Sequence, residues 1–259
     1  MMSMPARLRA RNAEWSLWAL AMLAAVCTFS LWPELDLVIS AQFYTPTIDP
    51  PFAMKTWLGV DALYRAVPWL GRLVLATSAL LVTIAYWRPQ WLTPRWRRRG
   101  KAMLLVALLG GVLLVNVGLK EHWGRPRPTA TTHFGGAKPF QPALQPSALC
   151  RSNCSFVSGH AATGFCLLAL GLTGAPALRR RWLLAGWVLG GTFGMGRIVQ
   201  GGHFASDVIF CGLFIWGCAL AVREVWLRLR VAQRGATRRS TGCPGMVHGG
   251  LSLRQSDSH

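Results

Sequence analysis

Nine residues in three short stretches of this chain have types and spacings that suit chemistry on an anion. They are Lys120, Arg125 and Arg127 in KEHWGRPRP, Ser158, Gly159 and His160 in SFVSGH, and Arg197, His203 and Asp207 in GRIVQGGHFASD. Lys120, Arg127 and Arg197 supply positive charge, and the planar guanidinium fork suits two-point recognition of phosphate. Ser158 and Gly159 stand just before an apolar run, where free backbone N–H groups and the helix dipole favour a bound phosphate. His203 and Asp207 are four apart, so on one helix face the carboxylate would fix the imidazole tautomer and support its positive charge. His203 is therefore the candidate nucleophile and His160 the candidate proton donor to a departing oxygen.

Each residue alone has a plainer explanation. A lone histidine is more often a satisfied polar group, Arg125 and Arg127 could anchor lipid headgroups, and Asp207 could merely pair with Arg197. Jointly the functional reading prevails. Ionisable residues inside or bordering apolar spans are costly and normally functional, and all of these fall on one expected side of the membrane.

The elements that must position them are apolar helices. Charge-free runs cover Trp15 to Trp32, Ala102 to Leu119 and Ala161 to Leu178, near the ~20 residues that cross a bilayer core. Leu73 to Trp87, Trp182 to Gly196 and Val208 to Val222 are shorter, and each reaches spanning size with Arg72, Arg197 or Asp207 at its edge. The expectation is an all-α polytopic membrane protein with about six transmembrane helices. The first run lacks an early small-residue cleavage site and reads as a retained helix rather than a signal peptide.

A chain that is 52% hydrophobic, with a formal net charge of +19, is neither disordered nor an ordinary soluble domain. The basic residues cluster before span one, over Arg88 to Lys101, at Arg179 to Arg181 and after span six. Those segments alternate across the spans, so the charge reads as topology rather than as a nucleic-acid face, with both termini cytoplasmic. The three motifs then fall on the outward side. A membrane domain is expected over 1–234 and a disordered basic tail over 235–259.

The loop Pro33 to Pro68 reads as an outward segment partly on the membrane and not catalytic by itself, and Lys120 to Val157 is a long functional loop. Cys150 and Cys154, in that outward loop, suit a local disulfide, although a zinc half-site has comparable spacing. No internal repeat of the transporter kind is visible.

The three stretches resemble the signature of the type 2 phosphatidic acid phosphatase family. Lys120, six residues, then Arg127 and Pro128 match its first motif; Ser158, Gly159 and His160 its second; Arg197, five residues, His203, three residues and Asp207 its third. Arg125 lies outside that signature. Val157 stands where the family usually has proline, and Gly196 replaces a common serine, which forfeits one hydrogen bond to phosphate. The resemblance implies that His203 attacks phosphorus, His160 protonates the leaving group, and Lys120, Arg127, Ser158, Gly159 and Arg197 hold the phosphate, with Asp207 supporting His203. It also implies a phosphohistidine intermediate, no metal and no cofactor.

PELDLVISAQFY and CRSNCSFVSGH further resemble bacterial lipid A phosphatases, which implies an inner membrane protein whose site faces the periplasm. The expected partners are a phosphorylated lipid substrate and membrane lipids, with no nucleic acid. Undecaprenyl diphosphate and phosphatidylglycerol phosphate are alternative substrates, and lipid-to-lipid phosphotransfer is an alternative reaction. Two further classes stay open: a hydrolase with His160, His203 and Asp207 as metal ligands, and a noncatalytic channel or transporter.

Overall fold

A computed structural model describes residues 6–172 and 174–241. Among them nine α-helices run in order: α1 Ala6–Leu31, α2 Leu35–Ala41, α3 Leu58–Trp87, α4 Pro94–Val106, α5 Lys120–His122, α6 Gly159–Phe165, α7 Leu168–Gly171, α8 Pro176–Val199 and α9 Ala205–Thr241. A π-helical stretch, Ala107–Leu119, joins α4 to α5 without a break. Apart from one isolated bridge between Thr131 and Lys138, the described residues form no β-structure. The chain is an all-α polytopic membrane protein.

Five helices among the described residues are long and apolar enough to cross a membrane: Arg11–Leu31, Leu58–Trp87, Pro94–His122, Ala177–Val199 and Ala205–Leu229. In hydrocarbon every backbone N–H and C=O must be satisfied within its own segment, so helix is the form such runs adopt. Leu17, Leu20, Leu73, Leu80, Leu113, Leu184 and Val188 are exposed on them, as side chains facing lipid would be.

The expected fourth span, Ala161 to Leu178, takes a different form. It breaks at Cys166 and Leu167 into α6 and α7, which together cover only Gly159–Gly171. Its glycines allow very close packing. A Cβ on Gly164 would lie 2.5 Å from the backbone nitrogen of Gly190 on α8, so α6 and α8 meet backbone to backbone. Around this contact lies the main core, with Phe156, Phe165, Leu168, Phe210, Leu213 and Ile215 nearly or fully buried.

The described residues fall into two compact units, one ending at Arg223 and one starting at Glu224. In the first, Glu14 of α1 pairs with Arg179 at 2.8 Å and with Arg223. In the second, Glu224 pairs with Arg228 at 3.1 Å. Of the expected tail 235–259, residues up to Thr241 continue α9, and the remainder lies outside the described residues.

The long loop after α5 has almost no regular structure yet is tightly tied. Trp123 Nε1 donates to the Ala143 carbonyl at 2.8 Å. Cys154 N donates to the Lys120 carbonyl at 3.0 Å and Ser155 N to the Arg125 carbonyl at 2.8 Å. Cys150 and Cys154 form a disulfide with their Cα atoms 5.7 Å apart. A small aromatic core of Phe52, Phe134 and Phe204, with Tyr44 and Phe140 against it, fastens this loop to the start of α9.

Candidate active site

The third motif places its histidine just ahead of a helix rather than on it. His203 lies in the turn before α9, and Asp207 sits in the first turn of α9, where its Oδ2 accepts from the Phe204 backbone N–H at 2.8 Å. This reach back to the helix entrance is a carboxylate cap, and it brings Asp207 Oδ2 to 3.6 Å from His203 Nδ1. The hydrogen bond that fixes the ring is a different one: Nδ1 donates to the Ser155 carbonyl at 2.7 Å. Nε2 is left with the lone pair. Burial pushes the His203 imidazole down to about 4, so the ring is neutral at neutral pH.

Asp207 is held from several sides. Ser155 Oγ donates to its Oδ2 at 2.5 Å, and Arg125 donates to its Oδ1 at 2.6 Å. Arg125 is completely buried. It also donates to Asp36 at 2.7 Å, to Ser206 Oγ at 2.8 Å and to the Gln141 carbonyl at 2.9 Å, and it packs over the Phe204 ring at 4.2 Å. The expectation that Arg125 could anchor a headgroup therefore gives way to a buried ion pair. Asp36, Ser155 and Ser206 were not singled out from sequence. The signals for Asp36 and Arg125 were an acid within PELDLVIS and an arginine two residues before Arg127.

The cations meet around a cavity of about 680 Å³ lined by Lys55, Tyr64, Arg127, Arg197, Gln200 and Gly202. Arg127 donates to the Asn153 carbonyl at 2.9 Å. Arg197 donates to Gln200 and lies over the Tyr64 ring at 4.6 Å, and its Nε has no protein partner. Lys120 shares the electrostatic neighbourhood of Arg127 and Arg197.

A second cavity, about 330 Å³, has largely apolar walls that include Val67, Val74, Leu75 and Ala107, with Lys120 and His160 among its polar lining. Ser158 precedes α6 in an extended conformation, and its hydroxyl accepts from Ala161 N at 3.4 Å. Its own N–H is spent on the Asp207 carbonyl at 3.3 Å, so the free donors of this helix start begin at Gly159. A Cβ on Gly159 would meet Asn116 Oδ1 at 2.7 Å and lie 3.6 Å from Lys120 Nζ. Glycine lets the third span approach that closely.

His160 stacks on Tyr64 with ring centroids 5.1 Å apart, and its Nε2 faces the Tyr64 carbonyl at 3.2 Å. Nδ1 is then the ring atom left for proton exchange. Among the described residues no group of three or more His, Cys, Asp or Glu side chains is placed to hold a metal ion.

Apolar spans that bring together cations, a neutral buried imidazole and a carboxylate beside cavities, one polar and one apolar, describe a membrane enzyme acting on an anionic lipid. Residues 100–231 match the PAP2 superfamily. The lipid A 4′-phosphatase of Francisella tularensis subsp. novicida is 34% identical over 194 residues, 73% of this chain and 84% of its own length. That of Rhizobium etli is 31% identical over 226 residues, 81% of this chain and 85% of its own length, and that of Rhizobium leguminosarum 42% over 127 residues, 48% of this chain and 54% of its own. No solved structure matches the chain significantly. The chain belongs to the PAP2 superfamily. It is an integral membrane phosphatase that hydrolyses a lipid phosphate.

Proposed function

We propose that the substrate is the phosphate monoester of lipid A or a closely related glycolipid, hydrolysed through a phosphohistidine at His203. The observation that carries the mechanism is the hydrogen bond from His203 Nδ1 to the Ser155 carbonyl, with the Asp207 carboxylate 3.6 Å from the same Nδ1, which leaves Nε2 unprotonated. Nε2 attacks phosphorus, the P–O bond to the sugar breaks, and the departing oxygen takes the Nδ1 proton of His160, which enters the step as an imidazolium beside the bound phosphate dianion and leaves it neutral. Water then attacks phosphorus, gives its proton to His160, and releases phosphate as the P–N bond breaks. Lys120, Arg127, Arg197 and the N–H groups of Gly159 and His160 hold the phosphoryl oxygens, whose charge must be stabilised for transfer. Nothing in these steps calls for a metal or cofactor.

The substrate class rests on the curated relatives, each named for lipid A. The apolar walls of the smaller cavity suit an acyl chain, and the polar walls of the larger one suit a sugar headgroup. The basic clusters on the opposite side of the spans support a site facing the periplasm from the inner membrane.

The test is phosphate release by purified protein from lipid A, undecaprenyl diphosphate and phosphatidylglycerol phosphate, with and without a chelator. Lipid A is expected to be cleaved with the largest kcat/KM, unchanged by the chelator. Preference for either other lipid would move the substrate assignment, and chelator-sensitive turnover would remove the histidine-only mechanism.

A further inference from the structure

Asp36 lies on α2, outside the residues that match the family, and is 1% exposed. Its Oδ2 accepts from Arg125 at 2.7 Å and from the Ser206 hydroxyl, and its Oδ1 from the Ser206 backbone N–H at 2.9 Å. Arg125 in turn donates to the Ser206 oxygen, and the Ser206 hydroxyl is placed to donate to Asp36. The Arg125 guanidinium and the Ser206 backbone N–H can only donate, so two of the three contacts on the Asp36 oxygens call for a carboxylate; burial pushes this acid up and the Arg125 charge opposes that. The arrangement is that of an ionised carboxylate.

Two carboxylates, Asp36 and Asp207, therefore share one guanidinium, and the trio carries one net negative charge. We propose that Asp36 is a positioning residue of the reaction: by sharing the charge of Arg125 it leaves Asp207 a net negative charge to support His203 as that ring becomes cationic on phosphorylation. Without Asp36, Arg125 would bear on Asp207 alone and the trio would be neutral. His203 would then face the cations Arg197 and Lys120, and His160, with no compensating charge. This deepens the reading above and rests on His203 as the nucleophile.

The test is charge counting with D36N, R125Q and the double variant D36N/R125Q, assayed as purified full chains beside the parent and H203A. D36N is expected to lower kcat at least tenfold while KM for the lipid stays within about twofold. The double variant restores one net negative charge, so its kcat is expected to recover above that of either single variant. A purely structural role would instead make the double as poor as the two losses multiplied, or worse, and that overturns the proposal. So does a D36N kcat equal to that of the parent, which would mean that Asp36 is protonated at the working pH.

Should D36N not give monodisperse protein in detergent, the double variant, which buries no second unpaired carboxylate, is read by its pH profile. Its charge around Asp207 equals that of the parent, so the acid limb of kcat/KM is expected to stay where it is in the parent, and a limb displaced by about one pH unit overturns the proposal. H203A separates the two layers. Activity in H203A defeats the nucleophile assignment itself, whereas an inactive H203A beside a parent-like D36N defeats only the role of Asp36.

Discussion

Arg125 and Arg127 stand two residues apart, and their surroundings give them opposite tasks. Arg127 lines the larger cavity, as does Arg197, whereas Arg125 is sealed between Asp36 and Asp207. Arg127→Ala and Arg197→Ala are expected to lower kcat/KM by ~10²-fold or more with folding intact, as loss of a donor to transition-state charge does. Arg125→Ala leaves two buried carboxylates without their cation, at a cost of about 3–5 kcal/mol, and is expected to show first as loss of monodisperse protein in size-exclusion chromatography. Equal turnover loss at all three with unchanged folding would contradict this division. His203 gives a second residue-level outcome. Its imidazole moves from the ordinary 6.5 down to about 4 on folding, so below pH 6.5 the unfolded chain binds a proton that the folded one does not. Stability from this group is present above about pH 6.5 and is lost as the pH falls toward 4, by up to ~3 kcal/mol. The thermal midpoint in detergent is expected to fall more for the parent than for His203→Gln between pH 7 and 4.5.

At the scale of elements, the motif residues were legible in sequence because charge at the rim of an apolar run is costly, so Lys120, His160, Arg197, His203 and Asp207 stood out against their neighbours. Asp36 did not, because an acid in an outward loop costs nothing until α2 is buried, and its partners come from 89 and 170 residues away. The spacing of His203 and Asp207 suggested one helix face. The chain instead starts α9 at Ala205 and uses Asp207 as the cap of that start, which yields the same proximity by a different route. The break of the fourth span at Cys166 and Leu167 was also illegible, since its composition is as apolar as that of the others and only contact with α8 distinguishes it. Gly164→Leu tests that contact. The added side chain runs into the α8 backbone, and a loss of ~1–3 kcal/mol or more is expected in detergent melts. Gly191→Ala, where an added Cβ meets nothing within 4 Å, is expected to be neutral or stabilising. Similar melts for the two variants would contradict close packing of α6 on α8.

For the whole molecule, the helical membrane class followed from hydropathy alone, while sidedness rests on where the basic residues fall. Reporters fused after Arg99 and after Arg181 are expected to read cytoplasm, and one near Gln141 the outside. A cytoplasmic signal at Gln141 would put the site on the other face. The central claim is that the phosphoryl group passes through His203. The most direct measurement is mass spectrometry of protein quenched during turnover of a lipid phosphate, with the digest kept alkaline to preserve a P–N bond. A phosphate on the peptide that contains His203, absent in His203→Ala, is the predicted result. Phosphate on another residue, or a His203→Ala protein that still turns over the lipid, would contradict it.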